Sequence, residues 1–297
     1  MGGPVGWTFD PGAICFVLAL AAAYALRVSS LGRTGRAVPL ARQVSFYLGL
    51  VTLLAAFVSP LDAIGENRVF YVHMVQHLLL IDLAPLLIVL GLTGPILRPI
   101  LALPGVGRLR VLAHPLPALA IWAVVLYAWH VPGPYAAALA HTPVHLLEHL
   151  SFFAAGLLIW AAVLEPLPGP AWFGNGAKAV YVLAVRALAG ALGVLFLIAG
   201  QPLYPDYAPG ERLWHISPLT DQRIGGAIMS IEGALVTLFA FAWLFLRWLR
   251  EAEMRQSLID EGALPVRAGR AARYGGLATA TSSSSARAAS SSARSRS

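Results

Sequence analysis

With 297 residues, 58% of them hydrophobic and only 12% charged, and a mean hydropathy of +0.71, the chain lies far from the roughly 25% charged composition of a soluble domain, which excludes that class. The formal charge of +7 sits mostly in the tail, where no acid follows Glu261 but Arg267, Arg270, Arg273, Arg287, Arg294 and Arg296 do, so the nearly neutral body excludes a nucleic-acid partner. Cys15 is the only cysteine, which excludes a disulfide framework and a cysteine-based zinc site.

Apolar runs of about 18 residues or more, long enough to cross roughly 30 Å of hydrocarbon as helix, recur along the chain. Backbone groups in lipid must be satisfied internally, and the runs are too long for barrel strands. The expected fold is therefore all-α, an integral membrane bundle of about seven transmembrane helices. A polytopic domain over residues 1–255 is expected to precede a disordered Arg/Ser/Ala-rich cytoplasmic tail over 256–297, whose partner by charge is anionic lipid.

The first span is expected over residues 12–28; with no Lys or Arg before it and Asp10 at its edge, it does not read as a cleavable signal. After Arg33 and Arg36, a second span covers 42–58 and stops at Ser59-Pro60, because Pro60 biases its predecessor out of the helix. A polar loop with Asp62, Glu66 and Arg68 follows. The third span, 69–92, carries Pro85, which predicts a kink near Ile81 and Asp82. A basic connection with Arg98, Arg108 and Arg110 leads to the fourth span, 116–130, and then to a loop holding Tyr135 and His141. Thr142-Pro143 starts the fifth span, 143–164. The sixth covers 177–199, a polar loop covers 201–223, and the seventh covers 224–249.

Arginines cluster in the first and third loops and after the last span, so the positive-inside rule places the N-terminus outside and the C-terminus in the cytoplasm. Trp7, Trp122, Trp129, Trp172, Trp214 and Trp248 fall mostly near expected span ends, as interfacial anchors do.

Counting about 1.5 Å per residue from the outer ends puts the histidines in one layer. His73 and His77 lie about 6 and 12 Å down the third span, and His145 and His149 about 3 and 9 Å down the fifth. Each pair is spaced i, i+4, which stacks both imidazoles on one helix face. His130 ends the fourth span, Glu148 lies on the side of its two histidines, and Glu232 is about 12 Å down the seventh span, with Met229 one turn above. Such groups share a metal, pair with other polar groups, or face a wet cavity. Burying a set of ionisable residues in lipid costs a few kcal/mol each and marks function. Neutral imidazole suits copper, zinc, iron and nickel, and Met74, Met229 and Cys15 add soft sulfur of the kind Cu(I) prefers. The metal candidates are His73, His77, His145, His149 and His130, with Glu148, Glu232, Met74 and Met229 as weaker ones. Asp82 and Arg186, nearer the inner face, are expected to form a structural ion pair away from the histidine layer.

Six motifs then occur in one order: Ser59-Pro60-Leu61-Asp62, His73-Met74-x-Gln76-His77-Leu78-Leu79, Trp129-His130-x-Pro132-x-x-Tyr135, His145-x-x-Glu148-His149, Tyr204-Pro205-x-Tyr207, and Asp221-Gln222-x-x-Gly225-Gly226-x-x-Met229. Together they resemble the CtaG family of cytochrome c oxidase assembly factors associated with caa-type oxidases, over residues 59–243. Ser230 stands where that pattern leads one to expect an aromatic. The resemblance implies a non-enzymatic, multi-pass protein of the bacterial plasma membrane that matures a haem-copper oxidase by binding or delivering copper on the outer side. Its implied partners are oxidase subunits or another copper chaperone. Two alternatives stay open on the residues themselves. His145-x-x-Glu148-His149 has the inverted zincin spacing of a zinc-dependent membrane hydrolase, and facing histidines on two helices can ligate b-type haem. A retinal protein is disfavoured, because the only lysine, Lys178, starts the sixth span.

Overall fold

The computed structural model describes residues 6–7, 9–67, 69–207 and 215–261. Trp214, Arg68 and the basic tail from residue 262 onward lie outside the described residues. The fold is all-helical, as the hydropathy pattern demands, with no strand among the described residues and six to seven apolar helical segments able to cross a membrane. In chain order these elements are α1 (Pro11–Arg33), α2 (Leu40–Val58), α3 (Pro60–Asn67), α4 (Phe70–Leu78), a π-helical turn (Leu79–Leu83), α5 (Ala84–Gly91), α6 (Gly94–Leu101), a 3₁₀ segment (Val106–Ala113), α7 (Pro115–Trp129), α8 (Pro132–Ala140), α9 (Thr142–Leu164), α10 (Asn175–Ile198) and α11 (Pro218–Asp260).

Two compact units divide the chain, residues 1–245 and 246–297. The first contains the candidate site. In the second, Trp248, Glu251, Arg255 and Ile259 line a groove on the last turns of α11.

Three connections and the last helix differ from expectation. The polar loop after Pro60 is α3, the basic connection is α6 plus the 3₁₀ segment, and the loop with Tyr135 is α8, bent 73° from α7. The last helix runs from Pro218 to Asp260 instead of 224–249. A hydropathy window stops where polar residues begin, yet Glu251, Ala252, Glu253, Arg255 and Gln256 are strong helix formers and carry α11 onward. Trp122 is also not an interfacial anchor, being buried in the middle of α7.

The first helix starts for a local reason. Asp10 caps α1, its Oδ1 accepting from Gly12 N at 2.6 Å, with Pro11 in the first turn. Only Val17, Tyr24 and Leu31 of α1 are buried, a single seven-residue stripe. Tyr24 stacks on Phe46 of α2 with centroids 3.8 Å apart and donates to Gly91 O. Arg42 donates to Leu90 O and Leu92 O, so side chains of neighbouring helices satisfy the carbonyls left open at the end of α5.

The segments Phe70–Gly91 and Thr142–Leu164 form the centre: 56% of the apolar window of each is buried, against 11–33% for the other four long apolar helices. Pro85 has no N–H for the carbonyl of Ile81, and the kink expected there takes the form of the π turn. The freed Ile81 carbonyl lies against Gly156 of α9, where any Cβ would also come within 2.7 Å of Pro85 Cγ. Closeness of the two central segments thus depends on a residue without a side chain.

Candidate functional site

The site begins with how α4 starts. Val69, its N-cap residue, offers no capping side chain, and the first free amides are taken instead by a residue distant in sequence. Asp221 of α11 accepts from Phe70 N at 2.7 Å and from Tyr71 N at 2.8 Å. A carboxylate at a helix N-terminus also complements the helix dipole. Replacing Asp221 by Ala is expected to lower stability by about 1 kcal/mol, the usual worth of a cap, with Asn retaining part of it; thermal unfolding of the purified protein reads the difference.

From that start, the i, i+4 spacing stacks His73 and His77 with ring centroids 4.1 Å apart. Pro143 in the first turn of α9 does the same for His145 and His149, 3.9 Å apart. The two stacks face each other: His77 and His149 centroids are 5.6 Å apart, and His73 and His149 6.0 Å. Glu148 enters between them, its Oε1 3.5 Å from His77 Nε2 and its Oε2 4.0 Å from His73 Nε2. One ligand atom from each of His73, His77, Glu148 and His149 falls within 4.8 Å of the others. A second group, Asp62, His145 and His149, meets the same condition and shares His149.

The first group is sealed, its members only 0–4% exposed. Nε2 of His73, His77 and His149 is buried and lacks a hydrogen-bond partner. Lone pairs of that kind are costly in a dry interior unless something accepts them. Three imidazoles and a carboxylate are the donor set of a transition metal, and the carboxylate offsets part of the ion's charge. Metal–nitrogen bonds of about 2.0–2.1 Å put tetrahedral donors roughly 3.4 Å apart, so only small side-chain rotations separate this arrangement from a closed site. The residues therefore fit a metal ion.

Surrounding groups fix the donors. Gln76, one turn from His73, donates from Nε2 to Asp62 Oδ1 at 2.7 Å and to Ala56 O at 2.9 Å. His130 Nδ1 sits 2.7 Å from Leu126 O and must donate to it, leaving Nε2 as the lone-pair nitrogen. Trp129 donates to Ser151 Oγ, which in turn donates to the Glu148 carbonyl. An aromatic cover closes one side. Tyr135 and Tyr207 hydroxyls bond each other at 2.7 Å, Tyr204 donates to His130 O at 2.7 Å, and Phe70 stacks on Tyr204. Burial first, and then the Glu148 charge, hold the Tyr204 and Tyr207 phenols above their ordinary value, with the Tyr135 bond offsetting part of the effect at Tyr207. Both remain neutral hydroxyls that position the cover.

The remaining candidates separate from the cage. His145 belongs to the second group, and His130 lies with its ring centroid 5.8 Å from His77. Met74, Met229 and Glu232 line a cavity of about 70 Å³ that His77 and His130 bound and that reaches Asp82 and Arg186. Glu232 borders this cavity and is not one of the four residues of the cage. The expected Asp82–Arg186 ion pair does not form within 4 Å: Asp82 accepts from Trp160 Nε1, while Arg186 donates to Met229 O and Ser230 O. Nor are these charges remote from the histidines, since the one cavity touches both. Cys15 is exposed on α1. Asp62, read from sequence as a loop acid, and Asp221 are the site groups that composition and spacing alone passed over; both occur within the ordered motifs.

A family model described as cytochrome c oxidase caa3 assembly factor (Caa3_CtaG) matches residues 22–251. Uncharacterized proteins of Mycobacterium bovis and Mycobacterium tuberculosis are each 24% identical over 278 residues, covering 86% of this chain and 41% of theirs. One of Mycobacterium leprae is 24% identical over 266 residues, covering 82% and 40%. The chain therefore spans less than half the length of these curated relatives. No solved structure matches.

Proposed function

The chain belongs to the cytochrome c oxidase caa3 assembly factor family, and on that premise we propose that it takes up copper as cargo in the His73, His77, Glu148 and His149 cage for delivery to a haem-copper oxidase. The observation that carries this reading is the convergence of three imidazole lone pairs and one carboxylate, from two helices, in a sealed volume. Oxidase maturation needs a metal donor, and these residues are a donor's ligands.

Each neighbouring group has a part. Glu148 supplies the negative charge that draws a cation into a low-dielectric interior. Asp62, His145 and the shared His149 form an adjoining station, with Asp62 its one partly exposed member, through which the ion enters. Gln76 and Ser151 hold the ligands in place from behind, as outer-shell partners of metal sites do. The arginine distribution directs this end of the bundle to the outer face of the bacterial plasma membrane, where the receiving oxidase subunit or a second copper chaperone meets it. By its charge the basic tail is a partner for anionic lipid. The protein acts by holding and passing an ion, without chemical turnover.

Burial at 0–4% leaves the cage no opening for a lipid or peptide substrate, which weighs for cargo and against a zinc hydrolase. The cavity of about 70 Å³ beside His77 is far smaller than a porphyrin, so a bis-histidine haem finds no room there. Metal analysis of the purified protein, beside the copper content of the oxidase in a deletion strain, tests the proposal. About one copper per chain and a copper-poor oxidase are expected. Metal-free protein after copper loading, or a fully metallated oxidase in the deletion strain, overturns it.

A further inference from the structure

The cage uses only part of the soft and nitrogen donors in this region. His130 is 7% exposed, with Nδ1 committed to Leu126 O and Nε2 buried without a hydrogen-bond partner. His130 and His77 rings face one another at 5.8 Å and 83°, and both border the cavity of about 70 Å³. Met74, fully buried and on the same face of α4 as His77, lines that cavity too. Its Cγ lies 3.2 Å from where a Cβ on Gly225 would stand, and one turn further along α11 comes Met229, 7% exposed and lining the same space. Phe152, packed on the His130 ring, gives the space an apolar wall.

Two imidazole and two thioether side chains line this small cavity together with Asp82, Arg186 and Glu232, and the two sulfurs make its donor set softer than that of the nitrogen–carboxylate cage next to it. Thioether sulfur is a softer donor than the carboxylate of the cage and favours Cu(I) over harder cations. Resting on the reading of copper as cargo, we infer that His77, His130, Met74 and Met229 form a second station, selective for Cu(I), that takes the ion on from the cage. His77 stands between the two, its Nε2 facing Glu148 while its ring faces His130. The stations share a ligand, so they are occupied in turn. Handing over the ion requires only exchange of His73, Glu148 and His149 for His130 and the two sulfurs. No change of oxidation state is involved.

X-ray absorption on the purified full chain loaded with Cu(I) or with Zn(II) tests this. Sulfur scatterers are expected around Cu(I) and only nitrogen and oxygen around Zn(II). In M74L/M229L the sulfur signal is expected to disappear, leaving Cu(I) with nitrogen and oxygen scatterers only, with Zn(II) binding unchanged. His149→Ala is expected to do the reverse, losing Zn(II) while keeping the Cu(I)–sulfur signal. Nitrogen and oxygen alone around Cu(I) in the wild type, or sulfur persisting in the double Met variant, overturns the second station and leaves the cage standing. Protein that binds neither ion overturns both. Methionine-to-leucine changes preserve volume and apolarity, and a thermal unfolding midpoint equal to wild type shows that lost sulfur is not lost fold.

Discussion

Replacing His77 and His149 together by alanine is expected to abolish copper retention by the purified protein and oxidase activity in cells that depend on it. The two rings come from different central helices and face each other at 5.6 Å, so their loss opens the cage from both sides. Transition-metal binding by a four-ligand protein site is worth roughly 10–16 kcal/mol, or about 3 kcal/mol per ligand, and two ligands removed weaken it by at least about a thousandfold. Stability moves the other way or not at all, because each deleted imidazole is a buried polar group without a hydrogen-bonded partner for its Nε2. Competition with a chromophoric chelator reads the affinity, and thermal unfolding reads the fold. Wild-type copper retention in the double variant would refute the cage.

A valine at position 156 prevents the protein from folding stably in the membrane. Even a methyl group there meets the Ile81 carbonyl and lies 2.7 Å from Pro85 Cγ, and backbone does not give way as a flexible side chain does. Overpacking a core costs about 1–3 kcal/mol when side chains can adjust, and here the obstacle is a carbonyl fixed by the π turn, so the cost lies at or above the upper end. Alanine should show a smaller loss of the same sign. Any variant that survives separates α4 and α5 from α9 and so spreads His77 from Glu148, which predicts weaker copper binding along with the lower unfolding midpoint. Unchanged midpoint and affinity in Gly156→Val would mean that the two central helices do not touch at this point.

Glycine serves a second crossing in the same way. A Cβ on Gly193 of α10 would approach Ser230 Oγ at 2.6 Å, and one on Gly226 of α11 would approach Gly193 O at 2.6 Å. This contact brings Arg186 against the carbonyls of Met229 and Ser230. Ser230, where the family resemblance led one to expect an aromatic, accordingly sits opposite a glycine at a close helix crossing, a place with no space for a ring.

Membrane class, the long spans and the two histidine pairs were legible in the residues, because each depends on local rules. Apolar length measures the bilayer, i, i+4 spacing sets a helix face, and Pro85 removes one donor at a fixed place. The kink near Ile81 and Asp82 was therefore foreseen, and the π turn fell on it. Short helices such as α3 and α8 escaped, since hydropathy detects spans and not one or two turns of helix packed among them.

Tertiary structure alone decided which helices are neighbours and which way their faces turn. Counting residues gives a group's depth but not its azimuth, and a π turn alters the azimuth of everything beyond it by roughly the 100° of one residue. Asp82, within that turn, meets Trp160 instead of Arg186; Glu232, on α11, borders the cavity and not the cage. Capping of α4 by Asp221 spans about 150 residues of sequence and exists only once α11 is in place. The histidines' residue types and spacing came with the chain; the single volume into which they converge came from close approach at Gly156, a contact energy that no local pattern encodes.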